Sequence, residues 1–400
     1  MQAFDLPISE QYPMTPRIYD VNSHIITFEA TVLSCSPARN GSFDVVLDRT
    51  AFFPGGGGQE ADQGTLGGQT LLGLSENEGI VHHYTPVPLE AGEVVTGRVD
   101  WEHRFSDMQQ HSGEHVLCAV LHNRYGVDNT GFHMGHNEVT MDVNGIFSAE
   151  QLAEAELEAN AAVYRNLPIS VSYPNEDELS GLSYRSKIEI EGATRIVRIG
   201  DEDDVLDRCA CCAPHVLKTG EIGLIKILFS EHYKGGTRIH ILCGLRALNA
   251  VNLYQTQVRQ IDQLLSALPE ETFDAVRKLK DTDAEKKEGL IRMQRRMISL
   301  MADQTPSGSD PYVVFETFED PTSAREFVNL LTARRDGIVA LFYPRDEASF
   351  AYILATREGS VKPWVKDLNQ TLQGRGGGSD AMAQGTVRAA RSEIEAFFNR

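Results

Sequence analysis

The chain has 400 residues, 41% of them apolar, enough to bury the cores of two or three domains. Its formal charge of −20 excludes diffuse electrostatic binding of nucleic acid, because an acidic protein repels phosphate at long range, but leaves room for a local basic face. No apolar run approaches the roughly 18–20 residues that span a bilayer, the segment from Met1 to Asp20 has no secretory pattern, and the six cysteines, three of them at Cys209, Cys211 and Cys212, suit a reduced compartment and a metal site better than a disulfide framework. The expected location is the cytoplasm, away from membranes.

Residues 22–95 alternate apolar and polar positions in short runs such as Phe43-Asp-Val-Val-Leu47, separated by Gly-rich turns, which predicts a small antiparallel barrel or sheet. A helix is expected from near Asp107 to about Tyr125, because Ser106 and Gln109 have capping-box spacing. A second helix is expected from Ser148 to Arg165, then strands at 169–171, 188–199, 222–229 and 237–243. Acidic residues concentrate at 150–158 and 201–204. Basic residues gather later, at Arg277, Lys278, Lys280, Lys286, Lys287, Arg292, Arg295 and Arg296, either as a solvated helix face or as a local basic patch. From Ala247 the texture turns helical. Leu253, Val258, Ile261, Leu264 and Leu268 have helical spacing, Pro269 interrupts, and the pattern resumes from Phe273 to Met301 as the second arm of a hairpin. A compact unit with strands at 312–315, 337–343 and 351–355 closes the chain. The expected fold class is therefore α+β: a β-barrel subdomain with a glycine-rich loop (1–98), a metal-bearing α+β domain (99–246), a helical hairpin (247–306) and a C-terminal α/β domain (307–400).

Two ligand pairs, each four residues apart, carry the chemistry: His111-Ser-Gly-Glu-His115 and Cys211-Cys-Ala-Pro-His215. One helical turn puts His111 and His115 on the same face. Imidazole with thiolate favours zinc over magnesium or calcium, so one zinc per chain is expected, with Cys209, Cys211 and Cys212 all open as the thiolate. The first pair also fits the inverted zinc-peptidase pattern, with Glu114 as general base and Glu189 or Glu191 as a further ligand, but that reading leaves Cys211 and His215 unexplained. The loop Phe53-Pro-Gly-Gly-Gly-Gly-Gln59 lets backbone amides approach a ligand. A second glycine cluster, Gly374-Arg-Gly-Gly-Gly378, is suited to cradling phosphates. Neither ends in the Gly-Lys-Ser/Thr of a P-loop.

In order, Asp48-Arg-Thr50 with Phe52-Phe-Pro-Gly-Gly-Gly-Gly-Gln59, His111-Ser-Gly-Glu-His115, Tyr184-Arg-Ser-Lys187, Cys211-Cys-Ala-Pro-His215, Thr219-Gly-Glu-Ile-Gly223, Gly236-Thr-Arg-Ile239 and Gly374-Arg-Gly-Gly-Gly378 with Ala383-Gln-Gly385 resemble the editing half of alanyl-tRNA synthetase. The long form of the free-standing alanyl-tRNA editing proteins is the nearest resemblance. It covers nearly the whole chain. It implies a zinc-dependent deacylase for tRNA(Ala) carrying serine, and glycine as a further substrate, with His111, His115, Cys211 and His215 as metal ligands. It further implies a catalytic loop at Gly57, Gly58 and Gln59, and Thr50 as the partner of the serine hydroxyl. Residues Gly374, Arg375, Gly376, Gly377 and Gly378 would bind tRNA in a C-terminal domain that also pairs two chains as a homodimer. With no aminoacylation domain ahead of the barrel, editing without charging is expected. A departure is Cys212-Ala-Pro214, where the synthetases usually carry Gly-Gly-Thr. The non-enzymatic rival is a tRNA- or RNA-binding protein with a structural zinc.

Overall fold

The alternation at the start of the chain is what a half-buried sheet requires, and it builds one. The computed structural model describes residues 14–135, 138–186, 194–308, 311–318, 320–346 and 348–399. After a short helix, α1 (Ile18–Val21), come β1 (Thr27–Pro37), β2 (Phe43–Leu47), β3 (Gly64–Leu66), β4 (Gln69–Thr70), β5 (Gly73–Asn77), β6 (Ile80–Thr85) and β7 (Val94–Val99). They form one antiparallel sheet in the order β4-β3-β7-β1-β2-β6-β5, the long β1 pairing with both β2 and β7. A register shift between Val32 and Ser34 marks an irregularity of the kind that bends a strand. The inward set Phe28, Ala30, Val32, Val45, Leu47, Leu66, Val95 and Val99 fills the concave side. The chain passes straight from β4 to β5 through Leu71 and Leu72, whose N–H groups donate to the carbonyls of Gly64 in β3 at 3.0 Å and Tyr84 in β6 at 2.8 Å, so one segment lines both edges of the curled half-barrel.

The first long helix, α2 (Trp101–Tyr125), begins earlier than the Ser106 signal suggests. Its N-cap is Asp100, whose carboxylate accepts the His103 N–H at 3.2 Å, and Ser106 lies inside the helix. Gly126 ends it in the left-handed conformation at φ 69°. Then follow β8 (Asn129–Met134), β9 (Val139–Val143), α3 (Ala149–Tyr164), capped by a Ser148–Gln151 box, β10 (Ile169–Ser172), α4 (Glu176–Ser180), β11 (Ile196–Gly200) and β12 (Val205–Ala210). The strands β13 (Ile225–Tyr233) and β14 (Gly236–Cys243) complete the set. They make two antiparallel sheets, β13-β14-β9-β8 and β10-β11-β12. The strand expected at 188–199 falls in part outside the described residues. The one expected at 222–229 starts at Ile225, because Thr219–Ile222 form a 3-10 turn. Met108, Val116, Leu117, Val120 and Leu121 of α2 meet Met141, Val197, Ile225, Ile239 and Ile241 from both sheets in one core, which holds α2 rigidly at the centre.

The chain divides into two compact units, Met1–Val258 and Arg259–Arg400, the division falling within α5 (Gly244–Leu265). In the second unit α6 (Thr272–Asp303) follows a 3-10 turn at Pro269–Glu271, the interruption expected from Pro269. Next come β15 (Tyr312–Phe315), α7 (Pro321–Thr332), β16 (Val339–Asp346), β17 (Ser349–Ala355), α8 (Lys362–Thr371), β18 (Arg375–Gly378), β19 (Met382–Val387) and α9 (Arg391–Phe398). The sheet order is β15-β16-β17-β19-β18. Only β15 and β16 run parallel, which requires the crossover that α7 supplies. No described helix is long and apolar enough to cross a membrane.

Candidate metal centre

His111 and His115 leave the buried side of α2 with ring centroids 5.2 Å apart. The second pair sits in an irregular loop after β12, where Pro214 keeps the chain from continuing as helix. Arg195 shapes that loop: its Nη1 donates to the carbonyls of Cys211 at 2.7 Å and Ala213 at 2.9 Å, and its Nε lies 2.8 Å from Asp20 of α1. The donor atoms of His111, His115, Cys211 and His215 thereby converge within 4.8 Å of one another. Cys211 Sγ is 3.5 Å from His111 Nε2 and 3.4 Å from His215 Nε2. Ligands bound to a tetrahedral zinc at ordinary lengths stand about 3.6 Å apart, so these separations fit the ion. Of the three neighbouring cysteines only Cys211 contributes to the group. Cys209 is buried beside His115, and Cys212 is exposed.

Each histidine is oriented through Nδ1. Gln59 Oε1 lies 3.0 Å from His111 Nδ1, and since an amide oxygen only accepts, Nδ1 carries the proton and Nε2 presents its lone pair to the centre. Ser112 Oγ lies 3.0 Å from His215 Nδ1 and accepts the Val216 N–H at 3.2 Å. Asp207 Oδ2 stands 3.5 Å from His115 Nδ1, an electrostatic rather than a close hydrogen-bonded contact. Arg185 fixes that carboxylate in turn, donating from Nε at 2.8 Å and from Nη2 at 2.6 Å.

Burial alone would push the Cys211 thiol up, but His111 and His215 overcome it and hold it well below its ordinary value. Burial pushes His215 down to about 3, against the pull of Cys211. At His115 burial is outweighed by Cys209, Asp207 and Cys211, which hold its pKa well above the ordinary histidine value. The Cys211 thiolate faces the lone pairs of His111 and His215, and the raised pKa of His115 reflects the same demand for positive charge at that point.

The glycine loop lies against this centre. Gly55, Gly56, Gly57 and Gly58 all have positive φ, and Gly56 and Gln59 exchange two backbone hydrogen bonds of 3.0 Å, which makes a tight loop rather than a slack turn. A Cβ on Gly58 would come within 2.7 Å of the Phe132 ring, itself 4.9 Å from the His111 ring, so only glycine fits between them. Below the loop, Arg104 is fully buried. It pairs with Asp62 and donates to the carbonyls of Ala51 and of Ser23, the latter at 3.0 Å, bracing the half-barrel against α2.

Gly57, Gly58 and Gln59 are thus brought together with the four donors. Thr50 is fully buried at the base of the loop, its hydroxyl 2.9 Å from His83 Nε2 and accepting the Phe52 N–H at 3.1 Å. Glu114 is 1% exposed, accepts from Asn129 and from the Cys118 thiol, and its Oε2 lies 3.9 Å from His115 Nε2. Glu189 and Glu191 lie outside the described residues. In the second unit the glycine cluster is no loop: Arg375–Gly378 is the edge strand β18, and Gly376, Gly377 and Gly378 line a groove of about 410 Å³ with Lys362, Lys366 and Asn369. Sequence reasoning missed Ser112, Arg185, Arg195 and Asp207. Ser112 and Arg185 carried a signal, their places inside His111-Ser-Gly-Glu-His115 and Tyr184-Arg-Ser-Lys187.

Residues 194–240 match the family described as Threonyl and Alanyl tRNA synthetase second additional domain. The chain is 29% identical to alanyl-tRNA editing protein AlaX-L of Pyrococcus horikoshii, over 95% of this chain and 96% of that one. It is 28% identical to alanyl-tRNA editing protein Aarsd1 of Rattus norvegicus, over 94% and 95%. It is also 31% identical to an alanine–tRNA ligase of Pyrobaculum neutrophilum, over 94% of this chain but 43% of the ligase.

Proposed function

We propose that this relative of the alanyl-tRNA editing proteins is a trans-editing hydrolase that cleaves the ester of tRNA(Ala) mischarged with serine, and with glycine, using one zinc ion. The observation that carries the reading is the convergence of two histidines from α2 with Cys211 and His215 from the loop after β12, beside a glycine loop tied to them through Gln59. His111, His115, Cys211 and His215 would hold the zinc, which would supply Lewis acidity to anchor the aminoacyl group or to polarise its ester. The chain's own residues do the rest. Gln59, Ser112 and Asp207 hold the imidazoles in register. The tight turn at Gly57 and Gly58 offers backbone without Cβ atoms to the ester. Phe132, packed on Gly58 and His111, limits the room for an amino-acid side chain.

Thr50 meets the serine hydroxyl on this reading. Thr50 is fully enclosed, so the contact calls for its one unused lone pair to be uncovered while the bonds to His83 and the Phe52 N–H stay in place. Each hydrogen bond that alanine fails to make is worth on the order of 1 kcal/mol, enough to bias cleavage by chemistry where size cannot. The second unit supplies affinity for tRNA through Gly374, Arg375, Gly376, Gly377 and Gly378 and the groove they share with Lys362 and Lys366. It also pairs two chains: α6 leaves Leu279, Leu290, Met293 and Met297 more than half exposed on one helix face, a stripe that a second copy would cover.

The deciding assay is deacylation of Ser-tRNA(Ala) with and without chelator, on the wild type and on His111→Ala and Cys211→Ala. Metal-dependent cleavage lost in both variants is expected. RNA binding without ester cleavage would favour a structural zinc, and peptide cleavage would favour a peptidase.

A further inference from the structure

We propose that His83 is a positioning residue for amino-acid selection: it accepts the hydrogen bond of the Thr50 hydroxyl, so that the Thr50 oxygen presents an acceptor, and no donor, to the hydroxyl of a seryl ester. This deepens, and rests on, the reading that Thr50 meets that hydroxyl.

The argument is donor and acceptor bookkeeping in a fully buried cluster. His83 lies on β6 opposite Val45 of β2, and both Thr50 and His83 are 0% exposed. His83 Nδ1 is 3.2 Å from the Val45 carbonyl oxygen, which can only accept, so Nδ1 carries a proton. Burial pushes the His83 pKa down to about 4, so the ring holds a single proton at neutral pH. Nε2 is therefore a lone pair. The 2.9 Å contact between Nε2 and Thr50 Oγ1 is then filled by the threonine proton, donated to His83. The Phe52 N–H occupies one of the two lone pairs on Oγ1 at 3.1 Å. One lone pair remains, and it can only accept. A serine hydroxyl can donate to it, whereas an alanyl or glycyl side chain has nothing to offer. The opposite tautomer would set a nitrogen lone pair against the Val45 carbonyl and free the Thr50 proton to point elsewhere, blurring the selection.

Two measurements on the full chain test this. Nitrogen-15 NMR of the histidine ring nitrogens should show His83 as the Nδ1–H tautomer, and an Nε2–H tautomer overturns the proposal even if no variant folds. Deacylation of Ser-tRNA(Ala) and Ala-tRNA(Ala) is then compared for wild type, His83→Phe, His83→Gln, Thr50→Val and the His83→Phe, Thr50→Val double variant. His83→Phe should lower the seryl-to-alanyl efficiency ratio about three- to tenfold. His83→Gln, whose amide oxygen can still accept, should restore part of it, and the double variant should lose no more than Thr50→Val alone. A ratio unchanged by Thr50→Val sinks the reading of Thr50 itself. A ratio lowered by Thr50→Val but not by His83→Phe leaves that reading standing and removes His83 from it. An equal loss on both esters in His83→Phe reduces His83 to a structural part and also overturns the proposal.

Discussion

Replacing Asp207 by Asn deletes one charge from the buried relay Arg185–Asp207–His115 while keeping its shape. Asp207 is 5% exposed, receives both Arg185 bonds at 2.8 and 2.6 Å, and stands 3.5 Å from His115 Nδ1. Burial alone would push this carboxyl up, but His115 and Arg185 hold it below the ordinary aspartate value, so it is charged at neutral pH. Losing an outer partner of a metal-bound histidine typically weakens a site about 10- to 100-fold, or roughly 1.4–2.7 kcal/mol. The 3.5 Å separation is long for a hydrogen bond, which points to the lower end, about tenfold. Asp207→Ala would be a poorer probe, because it removes the acceptor for Arg185 as well as the charge and leaves a cavity. Asn keeps an acceptor for Arg185. Zinc affinity is read by competition against a chromophoric chelator, alongside melting with and without zinc. The expected variant is folded, binds zinc about tenfold more weakly, and recovers deacylation when zinc is raised. A folded Asp207→Asn protein with wild-type zinc affinity would refute the claim that this carboxylate controls His115.

Three further outcomes are expected. Arg104→Met leaves Asp62 and the carbonyls of Ser23 and Ala51 buried without their donor, so urea unfolding should show a loss of about 3–5 kcal/mol, and a loss below about 1 would deny the brace its role. Asp107 is pushed up to about 6 by burial, against the pull of His103 and Arg246. Because the folded state then binds more protons than the unfolded one between about pH 4 and pH 6, stability falls as pH rises through that window. Asp107→Asn should flatten the fall and raise the melting temperature at neutral pH, and an unaltered pH profile would count against it. The double variant Lys362→Glu, Lys366→Glu should raise the tRNA concentration needed for half-maximal deacylation while zinc content stays at the wild-type level. Unchanged tRNA affinity would remove the groove beside β18 from the binding surface.

What the sequence made legible follows periodicity and spacing. A repeat of two wrote the half-barrel strands, and a four-residue interval placed His111 and His115 on one helical face. Same-type neighbours defeated it: Cys209, Cys211 and Cys212 are alike on paper, and only the turn of the loop aims one sulfur at the histidines. The start of α2 was misread because a capping box at Ser106 outweighed a lone Asp100, whereas Trp101 and Phe105 pack on the core and carry the helix back to that aspartate. The way Leu71 and Leu72 carry one segment from β3 to β6 was illegible for a different reason, since alternation fixes the faces of strands but not which neighbours they meet. Asp207 and Arg195 are bland charged residues outside every motif, and their roles exist only where the fold brings them to His115 and to the loop at Cys211.

The loop Cys211-Cys-Ala-Pro-His215 shows how a departure from a family pattern is absorbed. Where the synthetases usually carry two glycines and a threonine, left-handed backbone would be the natural expectation. Yet the described non-glycine residues with positive φ are Glu78, Asn166, Lys234, Ser266 and Gln373, and Cys212, Ala213 and Pro214 are not among them. Glycine is therefore not needed here for its conformational range. The loop takes its shape from outside: Arg195 draws the carbonyls of Cys211 and Ala213 onto one guanidinium, and Ser23 Oγ donates to the His215 carbonyl at 2.7 Å. The added bulk is also used. Ala213 is fully buried against Tyr19 and Phe53, and the Cys212 sulfur lies where a Cβ on Gly56 or Gly57 would meet it at 3.5 or 3.4 Å. A side chain in the metal loop thus packs against bare backbone in the glycine loop. At those distances a Cβ would make only an ordinary contact with the sulfur, so it is the φ of 141° at Gly56 and 60° at Gly57, and not Cys212, that calls for glycine there.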